Sequence, residues 1–247
     1  LDVNDRALRN MVIGMGGAED GVVRQSGFDI TAASEVMAIL ALANDANDLR
    51  ARLGRIVVGY TDDNIAVTAE QIGCAGAMAV ILRDAVKPNL MQTLENTPAV
   101  IHAGPFGNIA TGNSSVIADK LGIHLCDYLI TEAGFGADMG AERFFNIKCR
   151  VSGMTPDAAV LVATVRALKA HSGQYKVVAG KPLPPDMLKE NPGDVRAGAA
   201  NLVKQIENVK AHGVSPVVAI NAFPGDFASE HAVIREIAES VGARVAV

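Results

Sequence analysis

Short apolar runs recur along this chain, separated by stretches of helical length, and that alternation limits its fold more than any other feature. RIVVGY (55–60), AVIHAG (99–104), DYLIT (127–131), AAVLVATV (158–165) and PVVAINAF (216–223) are of strand length, and the closing GARVAV is strand-like as well. The spacing predicts a helix over TAEQIGCAGAMAVILRDA (68–85) with Thr68 as N-cap. Val195, Ala199, Leu202, Ile206 and Val209 recur at helical spacing and predict one apolar helix face. The runs lack strict alternation, which suits strands buried on both faces of a parallel sheet. Strand–helix–strand order then predicts an α/β fold, a mostly parallel sheet with helices on both faces. In such sheets ligands bind beyond the carboxyl ends of the strands, so the residues after each run are the candidates for function.

At 247 residues the chain suffices for one large α/β domain or two small ones. Its 49% apolar and 20% charged residues describe a globular protein with a sizeable core. A net charge of −5 without a Lys/Arg-dense run argues against nucleic acid as a partner. Cys74, Cys126 and Cys149 form no C-x-x-C pair, which fits a reduced, cytoplasmic setting without disulfides or a zinc site. No run approaches the roughly 18 apolar residues of a membrane span, and no secretory signal pattern opens the chain. LDVNDRALRN opens on Leu1 and GARVAV ends on a strand-like run, so both ends read as the interior of a longer protein. Residues 172–193 hold four of the ten prolines and read as a long excursion.

After AVIH, the loop AGPFGNIATGNSS leads into a helix expected near Ser114, and its N–H groups suit an anion. A plain strand-to-helix connection explains the loop equally well, and His102 at the run's end is more often structural than catalytic. After DYLI comes TEAGFGADMGAERFF (131–145), in which Gly134, Gly136 and Gly140 nearly imitate a dinucleotide fingerprint. Met139 occupies the position where that fingerprint needs glycine or alanine. Glu132 and Asp138 would repel a pyrophosphate, and the next run ends in Arg166 rather than an acid. An NAD-dependent dehydrogenase is thereby a distant reading. Phe135, between glycines, has either a face free to stack on a flat ring or a place in the core, and local residues leave both open.

Arg166, Lys169 and His171 follow AAVLVATV and suit substrate phosphate or carboxylate, or an ordinary polar helix face. Asn221, Phe223, Pro224 and Asp226 follow VVAI. Asn and Asp there suit the edge of a purine beside an apolar Phe-Pro wall, and a Pro-Gly-Asp turn suits the same residues. FDITAASE (28–35) reads as a cap region through Thr31, Ser34 and Glu35. No G-x-x-x-x-G-K-[ST], G-x-S-x-G or H-E-x-x-H occurs.

Taken together, DRALRN, GFDITAASEVMAILALA, RLGRIVVGYT, KPNLMQTLENTPAVIHAGPFGNIATGNSS, TEAGFGADMGAERFFNIKCR, VATVRALKAHSG and VVAINAFPGD closely resemble the formate–tetrahydrofolate ligase (10-formyltetrahydrofolate synthetase) family. The resemblance implies a P-loop NTPase-like α/β fold, here incomplete, and ATP-dependent joining of formate to tetrahydrofolate through formyl phosphate. It implies Mg²⁺ and a monovalent cation as cofactors and a homo-oligomer at full length. By that likeness Phe135 stacks on the folate ring, and Phe223 and Pro224 line a neighbouring pocket with Asn221 and Asp226 beside them. His102, Glu132, Asp138, Arg166 and Lys169 are placed near the site without named jobs. The catalytic residues, the P-loop lysine and a formyl-phosphate arginine, are expected in segments before LDVNDRALRN, and an aromatic folate partner after GARVAV. Residues 1–247 would then be the central part of a larger ligase and inactive alone. Thr111 stands where the family has histidine in A-H-G, and Ser172 where it has glycine in H-G-G. Thr111 also keeps in play a nucleotide-binding regulatory module of P-loop type with impaired catalysis. The glycines around Phe135 are read as clearance for the folate ring.

Overall fold

The computed structural model describes residues 6–28, 34–105 and 111–247. The chain divides into two compact units, Leu1–Gly153 and Met154–Val247.

In the first unit the strands pair as antiparallel hairpins. β1 (Met11–Ile13) pairs with β2 (Arg24–Ser26). Two short helices, α1 (Glu35–Leu42) and α2 (Ala46–Gly54), follow. The Ser34 hydroxyl caps α1 by accepting the Met37 N–H at 3.2 Å, and the Asp45 carboxylate caps α2 by accepting the Asp48 N–H at 2.8 Å. The remainder of the predicted cap region, residues 29–33, lies outside the described residues. α1 and α2 bury Leu40, Ala43, Leu49 and Leu53 against one another, with Ile56 and Met78 packed alongside.

The run RIVVGY forms β3 (Val57–Tyr60), paired antiparallel with β4 (Ala66–Thr68). The intervening Thr61–Asn64 turn, with Asn64 at φ 60°, folds the chain back before any crossover can form. Thr68 therefore ends a strand and caps no helix. Gly73, at φ 76°, delays the predicted helix, which shrinks to α3 (Ala75–Ile81). AVIHAG contributes β6 (Pro98–Ile101), paired antiparallel with β5 (Asn89–Gln92). DYLIT is not a strand: Tyr128 and Ile130 are about nine-tenths exposed, at 90% and 91%. No described strand lies beside it to satisfy its N–H and C=O groups, and only the isolated bridge Asn113–Ala133 forms nearby.

α4 (Val116–Leu125) begins at Ser115, one residue beyond the expected start. The last helical stretch of this unit is composite: α5 (Gly140–Arg143), a π-helical segment (Phe144–Cys149) and α6 (Arg150–Ser152), ended by Gly153 at φ 72°. Lys148, inside the π segment, forms a buried ion pair with Asp119 of α4 at 2.5 Å and lies 5.5 Å from the Phe144 ring. Burial pushes the Asp119 carboxyl up and the Lys148 ammonium down, each partly countered by the other's charge.

The second unit carries the parallel sheet that the sequence predicts. β7 (Ala158–Ala163), β8 (Ser215–Ile220) and β9 (Arg244–Ala246) lie side by side in that order, all parallel. α7 (Val165–His171), α8 (Pro192–Ala197) and α9 (Ala200–Ala211) connect β7 to β8, and α10 (Ala228–Ser240) connects β8 to β9. Val195, Ala199, Leu202, Ile206 and Val209 are all buried, as their spacing predicts, although the helix is broken after Ala197. Gly198 occupies the break. A Cβ there would lie 1.8 Å from the Leu168 carbonyl oxygen, so only glycine admits this approach to α7. Ala163, Val218 and Ile220 face the helices, with Val233, Ile234 and Ala238 of α10 completing the core. Val160 and Val162, on the opposite face of β7, are exposed. Burial therefore alternates along β7, where the sequence predicts a strand covered on both faces. The chain is α/β, with its parallel sheet in residues 158–246.

Removing one partner of a buried ion pair leaves the other charge unpaired, which costs about 3–5 kcal/mol. Lys148→Met alone should therefore lower the denaturant midpoint strongly, whereas Lys148→Met with Asp119→Leu should recover most of the loss. Chemical denaturation of the three proteins checks this.

Candidate functional site

Each unit holds one group of the residues singled out by sequence. In the first, His102 is buried between two partners. Its Nε2–H donates to the Ala85 carbonyl at 2.7 Å, and Nδ1 accepts from the Ser115 hydroxyl at 2.6 Å. A carbonyl can only accept, so Nε2 carries a proton. The Ser115 oxygen in turn accepts the Ala118 N–H at 2.9 Å and caps α4. His102 thus ties the end of β6 to the start of α4, a structural task, and its ring is closed off from ligands. The following loop, residues 106–110, lies outside the described residues. Beyond it Thr111 and Asn113 are buried, and the Thr111 hydroxyl and the Asn113 side-chain oxygen find no hydrogen-bond partner among the described residues.

Phe135 stands out from this surface. Its ring is 67% exposed, so the core alternative is not what forms. Its backbone is left-handed, φ 69°, which costs a bulky residue about 1–3 kcal/mol. The surrounding backbone enforces that turn. Gly134 donates its N–H to the Gly112 carbonyl at 3.0 Å, and a Cβ on Gly134 would lie 2.8 Å from that oxygen. A Cβ on Gly140 would lie 2.2 Å from the Gly134 carbonyl oxygen. These two glycines make room for backbone, which replaces the expectation that they clear space for a ligand ring. Glu132 and Asp138 are exposed and form no ion pair among the described residues. The near-miss dinucleotide motif also loses its context, since no strand precedes it.

In the second unit the candidates gather at the carboxyl ends of β7 and β8. The Asn221 N–H continues the sheet by donating to the Ala163 carbonyl at 2.9 Å, which leaves its side chain exposed at the strand's end. The chain then turns through Phe223, Pro224 and Gly225 to Asp226. The Asp226 N–H donates to the Phe223 carbonyl at 2.9 Å, and the Asp226 carboxylate accepts the Phe223 N–H at 3.0 Å. That carboxylate is 4% exposed and also accepts from His231 Nε2 at 3.2 Å. Asp226 is therefore committed to closing the turn that presents Phe223, and is not free to read a ligand edge. Phe223 is half-buried, and Arg166, from the first turn of α7, lies over its ring at 4.0 Å.

Lys169 is placed differently from Arg166. It is buried, paired with Glu230 of α10, and donates to the Met187 and Lys189 carbonyls at 3.1 and 2.6 Å. Its ammonium is consumed by protein groups, whereas the sequence leaves it, with Arg166, either near substrate or on an ordinary polar helix face. Glu230 adds two further bonds, accepting the Asn191 N–H at 2.9 Å and the Phe227 N–H at 3.2 Å. Glu230 and His231 escaped the sequence reading. Glu230 caps α10 by accepting the Phe227 N–H three residues earlier, but Phe227 cannot reciprocate as Ser or Thr would, so the usual sequence signal of such a cap is missing.

Among the described residues, no three His, Cys, Asp or Glu side chains converge as a group that could hold a metal ion. No described helix is long and apolar enough to cross a membrane.

The Asp226 turn is open to measurement. Asp226→Ala leaves the Phe223 N–H and His231 without their acceptor and should cost about 1–3 kcal/mol. Asp226→Asn, which keeps an acceptor oxygen, should cost less, and thermal unfolding compares them.

Comparison with known proteins places these residues in context. The sequence profile described as formate–tetrahydrofolate ligase matches residues 1–247. The formate–tetrahydrofolate ligase of Saccharopolyspora erythraea is 73% identical over 247 residues, covering 100% of this chain and 44% of that protein. Formate–tetrahydrofolate ligase 3 of Rubrobacter xylanophilus is 72% identical over 247 residues, with 100% and 43% covered. The enzyme of Cutibacterium acnes is 67% identical over 246 residues, with 100% and 44% covered. The chain spans less than half the length of these relatives.

Proposed function

The chain belongs to the formate–tetrahydrofolate ligase family, and from that membership we propose that it carries part of the substrate-binding surface of an ATP-dependent ligase joining formate to tetrahydrofolate. In the proposed sequence a formate oxygen attacks the γ-phosphorus of ATP, and ADP leaves with the electron pair of the broken P–O bond. The N10 of tetrahydrofolate then attacks the formyl carbon, inorganic phosphate leaves, and the N10 proton passes to solvent. Formate is a stabilised anion with a poor leaving group, so phosphorylation is what makes its carbon a usable acyl donor. Bringing that anion up to a polyanion makes catalysis depend on cations and positioning. Mg²⁺ and a monovalent cation would accompany ATP. The activity belongs to the complete ligase, so residues 1–247 alone should not turn over. A cytoplasmic homo-oligomer completes the reading.

The observation that carries it is Phe135, an exposed ring held at a backbone angle that costs stability. A phenyl that leaves two thirds of its surface in water gains little for the fold, and a flat folate ring laid on it would repay the strain. Asn221, Phe223 and Pro224 form a second surface, the wall of a ligand pocket. Phe135 itself provides the test, in a full-length ligase containing this segment. Phe135→Asn should raise thermal stability, because asparagine tolerates the left-handed region, and should weaken tetrahydrofolate binding while ATP affinity stays level. Stacking contributes about 0.5–1.5 kcal/mol beyond area burial, or about 2- to 13-fold in affinity. Calorimetric titration with each ligand decides, and an unchanged folate affinity removes the role given to Phe135.

A further inference from the structure

Arg166 and Phe223 reach one another from separate connections of the same sheet. Arg166 lies in the first turn of α7, after β7, while Phe223 lies just beyond the end of β8. The guanidinium carbon is 4.0 Å from the centre of the Phe223 ring, and both side chains are half-buried. Arg166 enters no ion pair among the described residues, so the ring is where its charge is placed. The Phe223 backbone is fixed from below by the Asp226 carboxylate at 3.0 Å.

A phenyl ring has two faces, and the guanidinium occupies one of them. A ligand meeting Phe223 must therefore use the other. A cation against one face draws π density toward itself, so the open face is less negative than that of an isolated phenyl. Such a face discriminates against a second cation and favours a flat, electron-rich ring. Lysine cannot replace this arrangement, because its ammonium is a strongly hydrated point charge without a plane to lay on the ring.

We propose that Arg166 is a positioning and specificity-determining residue, which backs Phe223 so that a flat nitrogen heterocycle of the substrate completes a three-layer stack of guanidinium, phenyl and heterocycle. This rests on the reading of Phe223 as a pocket wall given above. The heterocycle is the adenine of ATP or the pteridine of tetrahydrofolate, which share the required chemistry.

The test uses a full-length ligase containing this segment, with Arg166→Met, Arg166→Lys, Phe223→Leu and the double variant Arg166→Met/Phe223→Leu. Dissociation constants for ADP and for tetrahydrofolate are measured separately, with kcat, KM and Tm for each protein. Both Arg166 variants should weaken one ligand about 3- to 10-fold. The other ligand and Tm should hardly move, and KM for the affected substrate should rise with kcat preserved. Loss confined to ADP assigns the stack to adenine, and loss confined to tetrahydrofolate assigns it to the pteridine. In the double variant the loss should be less than the sum of the singles. Arg166→Lys keeps the charge and the aliphatic stem, so it serves if Arg166→Met fails to fold. Unchanged affinity for both ligands in the Arg166 variants, or a fall in both that tracks a fall in Tm, overturns the proposal. Should Phe223→Leu weaken neither ligand, the pocket-wall reading itself fails. Should it weaken one while the Arg166 variants do not, only the role of Arg166 is lost.

Discussion

The buried pair between Lys169 and Glu230 holds together the end of the sheet where the candidate residues of the second unit gather. Each partner has further bonds: Lys169 to the carbonyls of Met187 and Lys189, Glu230 to the N–H groups of Asn191 and Phe227. Through these contacts α7, the proline-rich stretch before α8, and the start of α10 are fixed to one point. Two buried charges are tolerated here because every strong contact is paired, and a half-satisfied version would be worse than an apolar core. Phe227 is also where the Asn221–Asp226 turn ends, so the same carboxylate anchors the rear of the loop that presents Phe223.

The two surfaces are built on opposite principles. Phe223 is held by bonds: an N–H to a buried carboxylate, a cation on one face, a helix start behind. Phe135 is held by backbone sterics, with Gly134 and Gly140 letting main chain meet main chain while the ring stands out into solvent. The first arrangement fixes the ring with the Arg166 guanidinium on one face. In the second, a residue is kept where another would be more stable, the usual mark of a side chain retained for contact with something outside the fold.

Much of the second unit was legible in the sequence. AAVLVATV and PVVAINAF become neighbouring parallel strands, and the helical spacing from Val195 to Val209 marks the buried face of α8 and α9. Strong, long-range periodicity survives tertiary context. The first unit was read less well because an apolar run does not name its hydrogen-bonding partner. RIVVGY and AVIHAG met short turns and closed as hairpins, while DYLIT found no neighbour and stayed irregular. Site residues followed the same division. The exposure of Phe135 was open from its glycine flanks, but neither spacing nor composition could tell that Lys169 turns inward while Arg166, three residues earlier, lies on Phe223. One helical turn separates a cation buried in an ion pair from one laid on an aromatic ring, and only packing decides which is which.

The π-helical segment between α5 and α6 has a consequence for how this stretch can vary in length. A π turn accommodates one more residue than the α-helix around it, so Phe144–Cys149 can be regarded as a single-residue insertion absorbed by the helix. Removing one residue there would restore the ordinary α-helical repeat while leaving α5 and α6 in register, because the widened turn is what takes up the extra residue. The change would be felt inside the bulge, where Lys148 reaches Asp119, and hardly beyond it. The widened turn thus confines the effect of one added residue to the stretch that carries the buried charge.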